Sequence, residues 1–264
     1  MSIYLGAGST AHKMSKLYVG VSGQARQVQK VYVGINGQAR LVYQSGQPIG
    51  GLAVGSIVKI KVNGASKDFI VVHQGKPSSI YDTSCDGTWL LMKDIYENRA
   101  WSNLNNNNYA NSTIRSYLNS TFLDLFESNI KNAIKQVKIP FRMGSWGTTV
   151  TSGSNGLSTK IFLLSATETG FSFSYMPNGE GAELAYFEGC ADNSLDSKRS
   201  AYLNGSAASW WLRSPYCYSQ STLTLYVNSD GDWGNGYSTD SHGIRPALIL
   251  PSTTLVDESG NVIG

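Results

Sequence analysis

Histidine and cysteine carry the most versatile side-chain chemistry, and this 264-residue chain has three of each. The histidines are His12, His73 and His242; the cysteines are Cys85, Cys190 and Cys217. A hydrolytic site needs a nucleophile within reach of a base. No Gly-x-Ser-x-Gly elbow is present, and spacing alone does not say what His73 meets across the fold. His73 follows a β-branched apolar run and reads as a satisfied structural histidine. His242 sits in a polar run and reads as a contact residue, not a base. The cysteines are odd in number and widely spaced, so no metal motif reads from them. They fit small buried residues with free thiols, and one disulfide is allowed. No catalytic residue, metal ligand or cofactor is assigned.

One further run has ligand-like spacing. Asn228-Ser229-Asp230-Gly231-Asp232 alternates oxygen-bearing side chains as calcium loops do. A loop of the EF-hand type wants Gly at its sixth position and a distal Glu. Trp233 stands sixth and no Glu follows at the right distance. The run reads as a turn with solvated carboxylates. A Glu-Pro-Asn calcium motif is also absent, so calcium-dependent sugar binding is not supported, whereas sugar contact through aromatics is allowed.

The chemistry that remains is recognition, and it gathers in residues 210–250. The ends of this segment are bulky: Trp210-Trp211-Leu212-Arg213-Ser214-Pro215 at one and Gly243-Ile244-Arg245-Pro246-Ala247-Leu248-Ile249-Leu250 at the other. Between them stand Tyr, Ser, Gly, Asn, Asp and Thr. Tyr and Trp give broad amphipathic contact at low entropy cost, and Ser, Gly and Asn give adaptable hydrogen bonds, which is the chemistry of a paratope. Tyr216, Tyr218, Trp233 and Tyr237 are the expected anchors. Asn235, Ser238, Asp240 and His242 are the expected polar contacts, with Ser219, Gln220, Asn228, Asp230, Asp232, Thr239 and Ser241 beside them. Arg213 and Arg245 read as structural, since five donors can tie loop carbonyls or pair with a buried carboxylate. Trp210 and Trp211 read as core, with one of the pair facing inward.

The elements that hold this segment can be read in chain order. Residues 16–26 recur as residues 30–40, each a strand, a Ser-Gly or Asn-Gly turn and a second strand. Asn-Gly between β-formers is a strong hairpin signal because both turn positions want positive φ. Hairpins this short bury no core, so they are expected to pair with each other, with the main domain or with another chain. Residues 44–51 are polar, carry Gly and Pro, and read as a linker. A second Asn-Gly hairpin follows over residues 54–73, then a buried strand at Trp89-Leu90-Leu91-Met92.

Ser112 can cap a helix that places Ile114, Tyr117, Leu118 and Phe122 on one face. The preceding Asn105-Asn106-Asn107-Asn108 tract reads as a loop. A second amphipathic stretch carries Leu125, Phe126, Ile130, Ala133, Ile134 and Val137 and stops at Pro140. Lys131, Lys135 and Lys138 ride on its solvated side. Residues 144–160 read as a loop around Trp146, residues 161–164 as a strand, and Ser165-Ala166-Thr167-Glu168 as a capping box for a short helix. Residues 178–209 read as irregular. Thr222 to Val227 reads as a half-buried strand, with Leu223, Leu225 and Val227 on its inner face. Residues 244–250 are its expected partner, and residues 228–242 are the displayed loop between them.

Composition agrees with binding. Charged residues are 15% of the chain and the net charge is +3, so its polarity comes from Ser, Thr, Asn and Gly, and nucleic acid is not an expected partner. No apolar run approaches membrane-spanning length, so membrane insertion is not expected. Residues 1–8 show no basic region ahead of an apolar core, so a secretory leader is not expected.

Two resemblances add to this reading. The repeats of the type Lys-x-Tyr-Val-Gly-x-x-Gly-x-Ala-Arg resemble those of phage tail and other virion-associated proteins, where they precede a variable or adhesive domain. The frame Trp211-Leu212-Arg213-Ser214-Pro215 with Gly243-Ile244-Arg245-Pro246-Ala247-Leu248 resembles bacterial and phage proteins of C-type-lectin-like fold. Ile114-Arg115-Ser116-Tyr117-Leu118-Asn119 and Phe162-Leu163-Leu164-Ser165 fit the same pattern. Several members of that group are variable proteins of diversity-generating retroelements, in which mutagenic copying at adenines turns Asn codons into Tyr, Ser, Asp, Gly, His and Thr. The residues between Tyr216 and His242 are dominated by that set. The group also holds the formylglycine-generating enzymes, whose oxidation needs a cysteine pair in the cleft; Cys190 and Cys217 lie in no matching motif.

The resemblance implies an α+β, C-type-lectin-like fold, two helices with antiparallel sheets, preceded by a small β-hairpin repeat region. Residues 1–46 would serve attachment or oligomerisation, residues 52–251 ligand binding, and residues 252–264 would be a C-terminal tail. The implied function is non-catalytic binding of a protein or glycan receptor on a cell surface, on a virion (a phage tail) or at a cell surface. Other phage tail or virion proteins would be held through the repeats, and a homo-oligomer is allowed. The alternatives are an enzyme of the same fold group and a fixed structural virion protein whose residues 216–242 pack on a neighbouring subunit.

Overall fold

Each of the Ser-Gly and Asn-Gly pairs read as turns does put both residues in the left-handed region. Ser22 and Gly23 have φ of 51° and 76°, Asn36 and Gly37 52° and 77°, Asn63 and Gly64 51° and 73°. This is the twist that joins adjacent antiparallel strands. The structure, a computed structural model, describes residues 4–7, 10–13, 17–28, 30–144, 149–190, 196–218 and 222–263. Ser219, Gln220 and Trp146 lie outside the described residues, as does the side chain of His12.

Three hairpins open the chain. The two repeats form Tyr18–Val21 with Gln24–Gln27 and Lys30–Ile35 with Gln38–Gln44. A further hairpin, Tyr4–Ala7 with Thr10–Lys13, precedes them. Each is its own two-stranded sheet, and Tyr18, Val19, Val21, Tyr32, Val33 and Ile35 are exposed. The repeats therefore pair neither with each other nor with the main sheets among the described residues.

The expected linker is a packed element. Gln47–Pro48 pairs with Leu255–Val256, which pairs in turn with Val262–Ile263. Ile49 is fully buried in the main core. A Cβ on Gly46 would lie 2.1 Å from the Val256 carbonyl oxygen, so only glycine allows that approach. Sequence reading found no apolar period here because a two-residue strand has none.

Two five-stranded sheets carry the rest. Their strands are β1 (Ile57–Val62), β2 (Ala65–Gln74), β3 (Thr88–Met92), β4 (Glu97–Ala100), β5 (Ile161–Phe162), β6 (Trp210–Pro215), β7 (Leu223–Val227), β8 (Trp233–Tyr237), β9 (Ser241–Ile244) and β10 (Ala247–Leu250). The first sheet runs β5-β10-β3-β2-β1 and the second β4-β9-β6-β7-β8. All pairings are antiparallel except β6 with β9. With only short helices beside these sheets, the chain is α+β.

The helices pack on the main core. Helix α1 (Thr113–Tyr117) starts where Ser112 Oγ accepts the Arg115 N–H at 3.2 Å, and the helical path continues through a wide turn at Leu118–Phe122. Ile114, Leu118 and Phe122 are fully buried. Helix α2 (Ser128–Ala133) is shorter than the amphipathic stretch implied. The chain turns extended at Ile134, and Val137–Ile139 pairs with Leu157–Thr159 as a ladder. β-branched Val137 and Ile139 alternate with Lys138, a period of two that strand geometry buries and helix geometry does not.

Other expectations need correction. Residues 244–250 are not one strand beside β7. The chain breaks at Arg245-Pro246, so β9 joins the second sheet and β10 the first. Pro246 has no N–H for a ladder, and Arg245 is buried at the crossing. Strand β7 pairs instead with β6 and β8, so the expected displayed loop itself contains strand β8 and the first two residues of β9. Trp210 and Trp211 are both fully buried. Adjacent residues on a strand point to opposite faces, and both faces of β6 are covered, Trp211 by the main core and Trp210 by a smaller cluster with Phe171, Leu212, Leu225 and Val227. The stretch 178–209 holds a hairpin, Ala201–Leu203 with Ser206–Ala208, turned by Asn204-Gly205.

Candidate functional site

A buried polar core lies behind the recognition segment. Arg213 is fully buried and uses all three guanidinium nitrogens. It pairs with both oxygens of Glu168, at 2.5 and 2.7 Å, and donates to the carbonyls of Pro140, Leu163 and Glu180 at 3.2, 3.0 and 3.1 Å. The Tyr81 hydroxyl donates to Glu168 Oε1 at 2.8 Å. Glu168 also accepts the Ser165 N–H at 2.9 Å, while its own N–H donates to Ser165 Oγ at 3.1 Å. The capping-box bonds thus form, but over a turn and not a helix.

Glu180 is the second buried carboxyl. It accepts from the Ser214 hydroxyl and from the Arg142 N–H, the latter at 3.0 Å. Burial raises its pKa to about 7, with Arg213 opposing. Burial also pulls Arg213 down, but Glu168 and Glu180 more than reverse this, leaving it above the ordinary arginine value. Arg245 donates to the Met92 carbonyl at 2.9 Å and lies over the Trp210 ring at 4.8 Å. Both arginines are structural, as their donor count suggested.

Strand register sorts the expected contact residues onto two faces. In an antiparallel pair, directly opposed residues share a face. Trp233, Asn235 and Tyr237 oppose Val227, Leu225 and Leu223, so all three lie on the face that carries Trp210. Glycines at 234 and 236 oppose Tyr226 and Thr224 on the other face. His242 lies on that other face, stacked on Tyr226 at 4.2 Å and edge-on to Trp211 at 4.5 Å. It is separated from the Trp233 surface by the sheet itself.

The first face carries a chain of rings. Trp233 stacks on Phe173, with centroids 4.2 Å apart and planes at 18°. Tyr216 lies parallel to Trp233 at 6.4 Å. Tyr175 meets Tyr216 at 5.6 Å and Tyr218 at 4.9 Å. Tyr218 is the most exposed of these rings, at 65%. Burial raises the Tyr216 pKa, and the neighbouring Tyr175 and Tyr218 raise it further. Sequence reasoning missed Phe173 and Tyr175. The signal available was the alternation Phe171-Ser172-Phe173-Ser174-Tyr175, which puts aromatic rings at every second position.

The remaining expected contacts divide. Asp230, Tyr237, Thr239, Asp240 and Ser241 are exposed. Asp240 Oδ2 accepts the Tyr237 N–H at 2.9 Å and shapes the turn between β8 and β9. Asn228 and Asp232 close the preceding turn: the Asn228 N–H donates to the Asp232 carbonyl at 2.7 Å, and the Asp230 carboxylate accepts the Asp232 N–H at 3.2 Å. Ser238 is fully buried, its N–H bonded to the Thr222 carbonyl and its carbonyl accepting from Ser102. It cannot touch a ligand in this arrangement, because its backbone stitches the turn to the main body.

Beside the rings lies a cleft of about 780 Å³, walled by Phe171, Phe173, Met176 and Glu183 and floored by Thr167 and Gly181. Phe173 belongs to both cleft and ring chain.

The titratable residues resolve as follows. His73 Nδ1 accepts the Ala185 N–H at 3.2 Å, and burial lowers its pKa. His242 Nδ1 lies 2.6 Å from Ser209 Oγ; burial lowers its pKa, and Asp240 partly opposes. All three cysteines are free thiols, each raised to about 11 by burial. Among the described residues, no group of three or more His, Cys, Asp or Glu is placed to hold a metal ion. Among the described residues, no helix is long and apolar enough to cross a membrane.

Residues 86–252 match a family described as Domain of unknown function (DUF6273). No curated protein and no solved structure matches the chain. The matched segment takes in Arg213 and Arg245, the ring chain and the cleft.

Proposed function

We propose that this chain, which belongs to the DUF6273 family, is a non-catalytic binding protein that meets its ligand with the ring-bearing face of β8. The observation that carries this reading is the contact chain Phe173–Trp233–Tyr216–Tyr175–Tyr218, which runs outward from the core to an exposed tyrosine. Rings packed on one another lose little freedom on binding and offer wide amphipathic area. The α+β frame is the finer C-type-lectin-like fold, and the exposed positions are those a diversity-generating retroelement rewrites. The repeats of residues 16–40 attach the protein to a phage tail or another particle, and the receptor is a protein or glycan on a cell surface.

The test is binding of the labelled full chain to cells of the host range, compared with Tyr218→Ala and Tyr237→Ala. The expected outcome is saturable binding that Tyr218→Ala weakens while the fold is unchanged. Binding that survives both substitutions would place the interface elsewhere.

A second reading rests on one observation, the 2.6 Å contact between Ser209 Oγ and His242 Nδ1. A serine hydroxyl beside an imidazole nitrogen is the pairing of nucleophile and base that hydrolases use, here through Nδ1 where the Ser-His-Asp triad uses Nε2. Covalent labelling of Ser209 by a fluorophosphonate, lost in His242→Ala, would favour hydrolysis over binding.

A further inference from the structure

We infer that the cleft beside Phe173 receives a neutral oligosaccharide. The inference rests on the binding reading above and names the ligand class for its site. Its volume of about 780 Å³ falls within the about 300–1,000 Å³ of small-molecule sites. The wall is mixed in a particular way. Phe171, Phe173 and Met176 give apolar surface, while Ser174 and Asn178 bring uncharged polar groups to the rim. Ser174 and Asn178 are exposed. Glu183 is the single charged side chain of the lining.

That combination selects among ligands. An anion would meet the Glu183 carboxylate at the surface of the lining, while the nearby cation, Arg199, is fully buried behind Phe171, 3.9 Å from its ring centroid, with its donors on the Thr169 and Gly170 carbonyls. A wholly apolar ligand would cover the polar rim without satisfying it, and a buried polar group left unpaired opposes binding. Thr167 adds to this, because among the described residues its hydroxyl is already without a hydrogen-bond partner. A neutral sugar suits both halves of the wall. Its C–H faces lie on aromatic rings, whose faces are electron-rich, and its hydroxyls both donate and accept at Asn178, Ser174 and the glycine backbone.

Continuity with the ring chain sets the ligand's length. Phe173 walls the cleft and stacks on Trp233 at 4.2 Å. A sugar chain leaving the cleft therefore passes onto Trp233, Tyr216 and Tyr175. The cleft would fix the class of ligand, and the exposed rings would choose among its members.

The experiment is retention of the labelled full chain on an array of neutral oligosaccharides (glucans, galactans and N-acetylglucosamine oligomers) printed beside sialylated counterparts. The wild-type chain, Asn178→Ala and Phe173→Ala are compared, together with binding to host cells. Asn178 is exposed, so its substitution leaves the fold intact. The expected result is retention of at least one neutral series, about tenfold weaker in both variants, as loss of one hydrogen bond or stacking contact gives. Retention of sialylated sugars alone, or neutral retention that neither variant weakens, overturns the inference. Cell binding with no retention of any sugar overturns it and leaves the binding reading standing. Absence of both kinds of binding removes the two together.

Discussion

Phe173 lies flat on Trp233, its centroid 4.2 Å away and its plane tilted by 18°. The two rings come from distant parts of the chain, one from the turn-rich stretch that follows β5, the other from edge strand β8. The stack fixes the orientation of Trp233 at the border between the core and the exposed rings. Trp233→Ala is therefore expected to lower stability by about 1–3 kcal/mol through lost burial and stacking. Tyr218→Ala, at an exposed ring, is expected to stay within about 0.5 kcal/mol of wild type. Both are expected to weaken binding. Urea denaturation paired with cell binding separates the two effects, and equal destabilisation by both would show that the rings are core and not surface.

Removing Arg213 is expected to be far more costly. Its partner Glu168 is itself buried, as is the Tyr81 that donates to Glu168, and a buried carboxylate left without its cation is strongly unfavourable. Arg213→Ala is expected to destabilise by about 3–5 kcal/mol, read as a lower urea midpoint. Arg213→Lys is expected to recover little, because an ammonium cannot serve both oxygens of Glu168 in the plane of the guanidinium. Near-complete rescue by lysine would show that charge alone, and not the fork, holds the site.

Parts of this arrangement were legible in the sequence. The Asn-Gly turns, the Ser112 cap and the buried strand at Trp89 follow from local rules, and local rules decided them. The structural role of Arg213 was readable from its donors, but its carboxylate was not. Glu168 looked like a capping residue, and it satisfies that pattern while also meeting Arg213 across the fold. The partner of β7 was misread because strand order is a long-range property. Residues 244–250 look like one strand, and only the break at Arg245-Pro246 separates β9 from β10 and sends them to different sheets. The division of Trp233 and His242 between two faces needs the register of β7, β8 and β9, which no single segment carries.

Glu180 gives the fold a pH dependence with a definite sign. Its folded pKa, raised by burial to about 7, stands above the unfolded value of 4.5. The folded state holds the proton more tightly, so stability from this group is fully present below pH 4.5 and is lost as pH rises through about 7. The full span is of the order of 3 kcal/mol. His73 and His242 act in the opposite sense: burial lowers their pKa values, so their contribution is lost as pH falls below the ordinary histidine range. Comparison with Glu180→Gln isolates the carboxyl, since glutamine can still accept from Arg142 and donate to Ser214. The wild type is expected to lose stability relative to this variant between pH 5 and pH 8, and parallel pH profiles would refute the assignment.

Within the segment 216–242, the structure separates positions that can change from positions that cannot. Gly231 has φ of 92°, and a Cβ there would lie 2.1 Å from the Asp196 carbonyl oxygen. A Cβ on Gly234 would lie 2.4 Å from the Tyr226 ring. Gly234→Ala is expected to cost about 1–3 kcal/mol by overpacking, and Gly231→Ala at least as much, because strain adds to the clash. Ser238 is fully buried, so a larger side chain there would have to displace its surroundings. Tyr218, Asn235, Tyr237, Thr239 and Asp240 meet no such steric limit, although a change at Asp240 gives up its bond from the Tyr237 N–H. If a retroelement rewrites this gene, sequencing the locus from a population should reveal a near-copy of the 210–250 segment that differs at adenines. Substitutions should then fall on those five positions and on Tyr216, less often on Trp233, whose stack on Phe173 carries stability, and should spare Gly231, Gly234 and Ser238. Changes spread evenly across the segment would mean that the sheet does not constrain it, and a single invariant sequence with no copy would leave a fixed binding surface.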